Sequence, residues 1–127
     1  MLTKEMIMAA QELFSGNDFP GLVKAFLEMG IVANTVNIKE GQATYQTAEG
    51  QEVELPAYRV ESVAGRVDED YFIQQLRKHQ KQETDFPTFC QDTAASGIYK
   101  WDVDLLAKTC SYFDLDNKLV YTEAIPV

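Results

Sequence analysis

The sequence holds 127 residues, 46% of them hydrophobic and 24% charged, the make-up of one soluble globular domain with its own core rather than of a disordered chain. A net charge of −9 repels phosphate backbones, so no direct nucleic-acid partner is expected and a basic protein partner is favoured. The apolar run MIMAA near the N-terminus is too short for a signal core or a bilayer span, and Cys90 and Cys110 form no CxxC pair, so a cytoplasmic protein with two buried thiols and no membrane contact is expected.

Thr3 is a capping residue ahead of a helix predicted over 4–15, with Met6, Ala9 and Leu13 as its apolar positions. A second helix follows the phrase NDFP. Asn17 is its expected cap, Asp18 complements the helix dipole, and Pro20 lies in the first turn, where a missing N–H costs least. Phe19, Leu22, Val23, Phe26 and Leu27 recur at the spacing of one helical face, and Gly30 stands where a left-handed C-terminal cap is needed. A strand through Val32, Val36 and Ile38 comes next, then one carrying Ala43 and Tyr45. Parity decides the turn at 48–50. A three-residue loop with Gly50 left-handed pairs Tyr45 with Val53 and Ala43 with Leu55, whereas a two-residue loop mixes core and solvent positions on one face.

The second half repeats the plan 67 positions later. Asp70 corresponds to Thr3 and opens a helix predicted over 71–82, with Ile73, Leu76 and Gln80 at the matching positions. Thr84, Asp85, Phe86 and Pro87 correspond to Asn17, Asp18, Phe19 and Pro20, and Gly97 to Gly30. The helix face becomes Phe86, Phe89, Cys90, Thr93 and Ala94. Tyr99, Trp101, Val103 and Leu105 share the next strand's face, with Trp101 where the first half has Asn34. Cys110 and Tyr112 match Ala43 and Tyr45, Asn117 matches Gly50, and Tyr112 is expected to pair with Val120. The chain therefore reads as α+β: an internal duplication of a helix–helix–three-strand unit, packed as one pseudo-twofold domain with an antiparallel sheet. Its parts are repeat one at about 1–59, a join at 60–69 and repeat two at about 70–127. A unit of about 60 residues is marginal alone, which is why two are expected to share a core.

The stretch FCQDTAASGIYKWDVDLLAKTCSYFDLDNKLVYTEAI also resembles the YdfO/YbcV-like small proteins of enterobacterial prophages. The shared features are Tyr99 with Trp101 at a strand start, Ser111 with Tyr112, and the hairpin residues Asn117, Leu119 and Tyr121. The family's Phe-x-x-Cys helix is matched only in part, since Phe86 precedes Cys90 at a wider spacing. The likeness covers about 40 residues and implies a phage-associated gene. It implies no activity, no cofactor and no catalytic residue.

The residues themselves offer little chemistry. His79 stands in RKHQKQE without a ligand-type partner and reads as a surface residue. Asp102 and Asp104 share a strand face, but DLDN (114–117) lacks the glycine and later glutamate of a calcium loop, so no metal is expected. Ser96 and Ser111 lack a GxSxG context, and no phosphate-binding loop occurs. No enzyme is expected.

An asymmetry between the halves is more informative. Opposite the core face, the first half shows Thr35, Asn37, Gln42, Thr44, Gln46, Glu52 and Glu54, a solvent surface. The matching face of the second half carries Phe113, Leu119 and Tyr121, extended by Ile98. An apolar patch on a wet sheet face marks a contact surface unless segment 57–70 covers it. The expected function is a protein-interaction module without catalysis, acting as a homodimer or with an unidentified protein partner. The alternative is a small-ligand sensor with a pocket between the repeats, lined by Asn34, Tyr45, Trp101 and Tyr112.

Overall fold

The computed structural model describes residues 1–14 and 19–125, so the expected roles of Asn17 and Asp18 lie outside the described residues. The elements run α1 (Lys4–Leu13), α2 (Phe19–Glu28), β1 (Ile31–Asn37), β2 (Gln42–Thr47), β3 (Glu52–Pro56), α3 (Glu69–Gln80), α4 (Phe86–Ala95), β4 (Ile98–Asp104), β5 (Thr109–Asp114) and β6 (Leu119–Ala124). Each half is helix, helix, then three strands, and the fold is α+β. The strands form one sheet in the order β3-β2-β1-β4-β5-β6, antiparallel throughout.

The helix starts follow from short side chains that bond the first free N–H groups. Thr3 caps α1 by accepting from Met6 N, as expected. In α3 the cap is Asp68 rather than Asp70, and in α4 it is Asp85, not Thr84. The expected boundary is displaced by one or two residues wherever several capping residue types stand in a row. In α1 the buried positions are Ile7 and Ala10, and Leu13 is 76% exposed, so the apolar stripe is rotated from the expected Met6, Ala9 and Leu13. In α3 it comprises Phe72, Gln75 and Leu76.

The four described helices lie against one face of the sheet. Phe26 of α2 meets Tyr45 edge-on, Gln11 of α1 donates to the same tyrosine's hydroxyl at 2.6 Å, Phe72 of α3 meets Tyr112, and Phe89 of α4 meets Trp101. Tyr45, Trp101 and Tyr112 share this face with Val36, Ala43, Val53, Leu55, Val103 and Cys110, and all are buried. The joining segment keeps to the sheet end and the helix side. Val60 N donates to Ile38 O, the Tyr58 hydroxyl accepts from Gln91, and Ala64 N donates to Ala94 O.

Local features recur at matching positions in the two halves. The β1–β4 ladder is centred on Thr35 opposite Asp102, flanked by Asn34 with Val103 and Val36 with Trp101. A register shift lies between Ile31 and Ala33 on β1, and another between Ile98 and Lys100 on β4. Gly30, Gly41 and Gly50 have positive φ, as do Gly97, Lys108 and Asn117. Asn37 accepts from Lys39 N and Glu40 N, and Asp104 likewise from Leu106 N and Ala107 N. The outer hairpins differ. Tyr45 pairs with Val53 and Ala43 with Leu55 as the parity argument requires, but Tyr112 pairs with Tyr121, not Val120. A bulge between Tyr112 and Phe113 displaces the register of β6 by one residue.

Candidate functional site

That bulge reorders the expected apolar patch. Phe113 and Leu119 remain opposite each other on the helix-free face, Phe113 partly buried and Leu119 60% exposed. Tyr121 is turned to the other side, because one extra residue in a strand reverses the facing of everything beyond it. There it stacks on Tyr112 with centroids 6.4 Å apart, meets Phe72 edge-on, and accepts a hydrogen bond from Arg77 Nη2 at 2.9 Å. Ile98 is fully buried, so it too leaves the patch; its strand shifts register at that point and carries it into the core.

What borders Phe113 and Leu119 is polar or amphipathic. Lys100 lies opposite Phe113, its ammonium 5.0 Å from that ring's centroid and 5.8 Å from that of Tyr99. The Tyr99 hydroxyl donates to Asn117 Oδ1 at the hairpin turn. Ser111 and Thr122 exchange a hydroxyl hydrogen bond of 3.0 Å further along the same face. On the first half of this face Gln42 donates to Glu54, and Thr35 donates to Asp102 at 2.8 Å. The surface is thus an acidic, hydrogen-bonded sheet with one apolar island.

Behind β6, on the helix side, lies a cluster that sequence reasoning missed. Arg77 Nη1 pairs with Glu123 Oε2 at 2.9 Å, and Gln80 donates to the other oxygen of the same carboxylate. The Glu123 carboxylate raises the Arg77 pKa. Arg77, Gln80, Tyr121 and Glu123 are joined by the fold across more than forty positions of chain, and only the i, i+3 spacing of Arg77 and Gln80 is visible locally.

The four expected pocket residues do share a face. Asn34 pairs with Tyr45 across β1–β2, and Trp101 with Tyr112 across β4–β5. Three of them are core residues. Trp101 packs between Phe86, Phe89 and Tyr112, and burial raises the Tyr45 pKa and pushes that of Tyr112 well above its ordinary value. Asn34 differs: its Oδ1 is buried and accepts no hydrogen bond. None of the four lines the surface depression against Leu2, Lys4 and Glu54 or the one against Arg59, Val63 and Leu115.

Both thiols are free and buried. Burial pushes both Cys90 and Cys110 up to about 12, which removes the thiolate that nucleophilic chemistry requires. His79 is not a plain surface residue. It stacks on Phe89 with centroids 4.4 Å apart, and its Nδ1 lies 3.1 Å from Thr84 O. Among the described residues no group of three His, Cys, Asp or Glu side chains is arranged to hold a metal, and no helix is long and apolar enough to cross a membrane.

The family model described as "Protein of unknown function (DUF1398)" matches residues 8–124. The uncharacterized protein Rv2012 of Mycobacterium tuberculosis (strain ATCC 25618 / H37Rv) is 28% identical over 104 residues, 80% of this chain and 63% of the relative. The uncharacterized protein Mb2035 of Mycobacterium bovis (strain ATCC BAA-935 / AF2122/97) matches with the same identity and coverage. The chain thus spans 63% of the length of these relatives. With residues 8–124 matched, the chain belongs to the DUF1398 family of proteins of unknown function.

Proposed function

We propose that the chain is a non-catalytic protein-interaction module that docks a basic protein through the helix-free sheet face of its second half, around Phe113 and Leu119. The carrying observation is Leu119, a 60% exposed leucine on the edge strand β6, paired with Phe113 on the helix-free face. A net charge of −9 favours a basic partner. The module is an internal duplication in one domain of residues 1–127, a reading supported by the recurrence of register shifts, positive-φ positions and capping side chains at a constant offset. The prophage-type resemblance of the second half supports an accessory role in the cytoplasm of a phage-bearing cell. The test places a benzophenone side chain at position 119 and, as a control, at Gln46 on the same face of the first half. The expected result is a covalent adduct to one basic protein from position 119 alone, lost when Phe113 is changed to Ser. Equal adducts from both positions, or a self-adduct only, overturn the reading.

A second reading rests on Asn34. Its unpartnered Oδ1 favours a small ligand that carries an N–H or O–H donor. The fluorescence of Trp101, the single tryptophan, reports such binding. An emission that stays unchanged across a ligand screen speaks against it.

A further inference from the structure

The two outer strands present unlike free edges. In an antiparallel pair, backbone groups alternate between facing the neighbour and facing away. On β3 the hydrogen bonds from Thr47 N to Gln51 O and from Ala57 N to Gly41 O fix the alternation, so Glu52, Glu54 and Pro56 are the residues that face outward. Two exposed carboxylates and a residue without an N–H are the usual guards of a sheet edge. The start of that edge is also occupied: the Gln51 side chain bonds both the N–H and the C=O of Leu2, at 3.3 and 2.8 Å.

On β6 the bond from Ile125 N to Lys108 O sets the same alternation, and Thr122 and Ala124 face outward. Leu119 lies opposite Phe113 as Glu52 lies opposite Gln46. So Leu119, Thr122 and Ala124 hold the places taken on β3 by Glu52, Glu54 and Pro56. All three are exposed, none is charged and none is proline. Glu123, the one acid of the strand, is drawn to the helix side by Arg77 and Gln80. Among the described residues, the fold guards one edge and leaves its counterpart open.

We propose that β6 is a strand-addition edge: a cationic, extended segment of another protein pairs with the main chain of Thr122 and Ala124 and lays an apolar side chain beside Leu119 and Phe113. The proposal rests on the interaction-module reading and names how the partner engages. Charge selects the occupant. On the helix-free face Asp102 and Asp104 of β4, two strands from β6, outnumber Lys100 of the same strand, and a second copy brings a further −9 that repels the first. Unlike charge draws a lysine- or arginine-bearing strand instead.

The test selects a displayed library of random twelve-residue peptides on the full chain. Selection is counter-screened with the variant Leu119→Glu, Thr122→Glu, Ala124→Pro, which copies the guards of β3 onto β6, and melting temperature confirms that the variant is folded. Expected are peptides alternating basic and apolar residues that slow hydrogen exchange at Thr122 and Ala124, bind the guarded variant at least tenfold more weakly, and lose binding when every second peptide nitrogen along one edge is methylated. Peptides indifferent to the guards or to methylation overturn the proposal, as does a library that yields no binder. A concentration-dependent dimer abolished by the guards assigns the edge to a second copy and overturns it as well. Phe113→Ser separates the two readings. If it abolishes binding of peptides that leave exchange at Thr122 and Ala124 unchanged, face docking survives and strand addition falls. If peptides protect those residues and ignore Phe113, strand addition survives and face docking falls.

Discussion

Thr35 donates its hydroxyl to Asp102 at 2.8 Å, and these two residues, 67 apart in the chain, stand opposite each other at the midpoint of the β1–β4 ladder, which joins the two three-strand halves of the sheet. Both side chains are partly exposed, so the bond is worth about 1 kcal/mol. Thr35→Val lowers stability by that amount, and Asp102→Asn, which keeps an acceptor, lowers it by less. A double-mutant cycle of urea midpoints reads the coupling. Additive losses from Thr35→Val and Asp102→Ala mean that the bond contributes nothing.

Gly30 and Gly97 end α2 and α4 with nearly the same backbone, φ +88 and +86, yet only one is crowded. A methyl group at Gly30 meets nothing within 4 Å, while one at Gly97 lies 2.6 Å from Arg66 O and 3.0 Å from Val67 Cα. Gly30→Ala costs about 1 kcal/mol of backbone strain. Gly97→Ala adds a displacement of the joining segment and lowers the melting temperature further. Equal losses at the two sites mean that segment 66–67 yields freely.

Burial against Phe89 lowers the His79 pKa, partly offset by its hydrogen bond with Thr84 and the nearby Asp85. The unfolded chain takes up a proton near pH 6.5 while the folded one resists it, so this contribution to stability is complete above about pH 6.5 and lost as the pH falls below it. Melting temperatures between pH 8 and 5, with His79→Phe for comparison, check the sign. His79 is the single histidine, so its ring resonances titrate without overlap. A folded midpoint above 6.5 refutes the assignment.

With both thiols near 12, the native protein at pH 8 carries almost no thiolate. Alkylation by iodoacetamide runs roughly a thousandfold slower than for a free cysteine, and both residues react once urea unfolds the chain. Mass spectrometry counts the adducts. Labelling of either residue in the folded protein at the free-thiol rate places it outside the buried, apolar setting described for it.

The element plan was legible because helix faces, Pro20 and Pro87 near helix starts, and Gly30 and Gly97 at helix ends are local demands that side chains meet within a few residues. The β2–β3 register was legible for the same reason, since loop length and parity leave one consistent pairing. β6 was not. The gapless correspondence between halves carried the register of Val53 onto Val120, and a bulge leaves no mark in hydrophobic alternation when Val120 and Tyr121 are both apolar. Tyr121 therefore faces the helices and Ile98 the core, so half of the expected patch was misassigned. The Arg77–Glu123 pair was invisible because its members are 46 positions apart. The four pocket candidates share one face of the sheet, but tertiary packing makes three of them core, which residue type and spacing do not reveal.

The β1–β4 seam also has a kinetic meaning. Each half is a pair of hairpins with short turns, the kind of structure that closes within microseconds. Joining Thr35 to Asp102 closes a loop of 67 positions, whose entropic cost is met only when both halves have formed. The seam is then expected to assemble last and to part first. Chevron kinetics of Thr35→Val are expected to show faster unfolding with a nearly unchanged folding rate, and slowed folding instead places the seam in the nucleus.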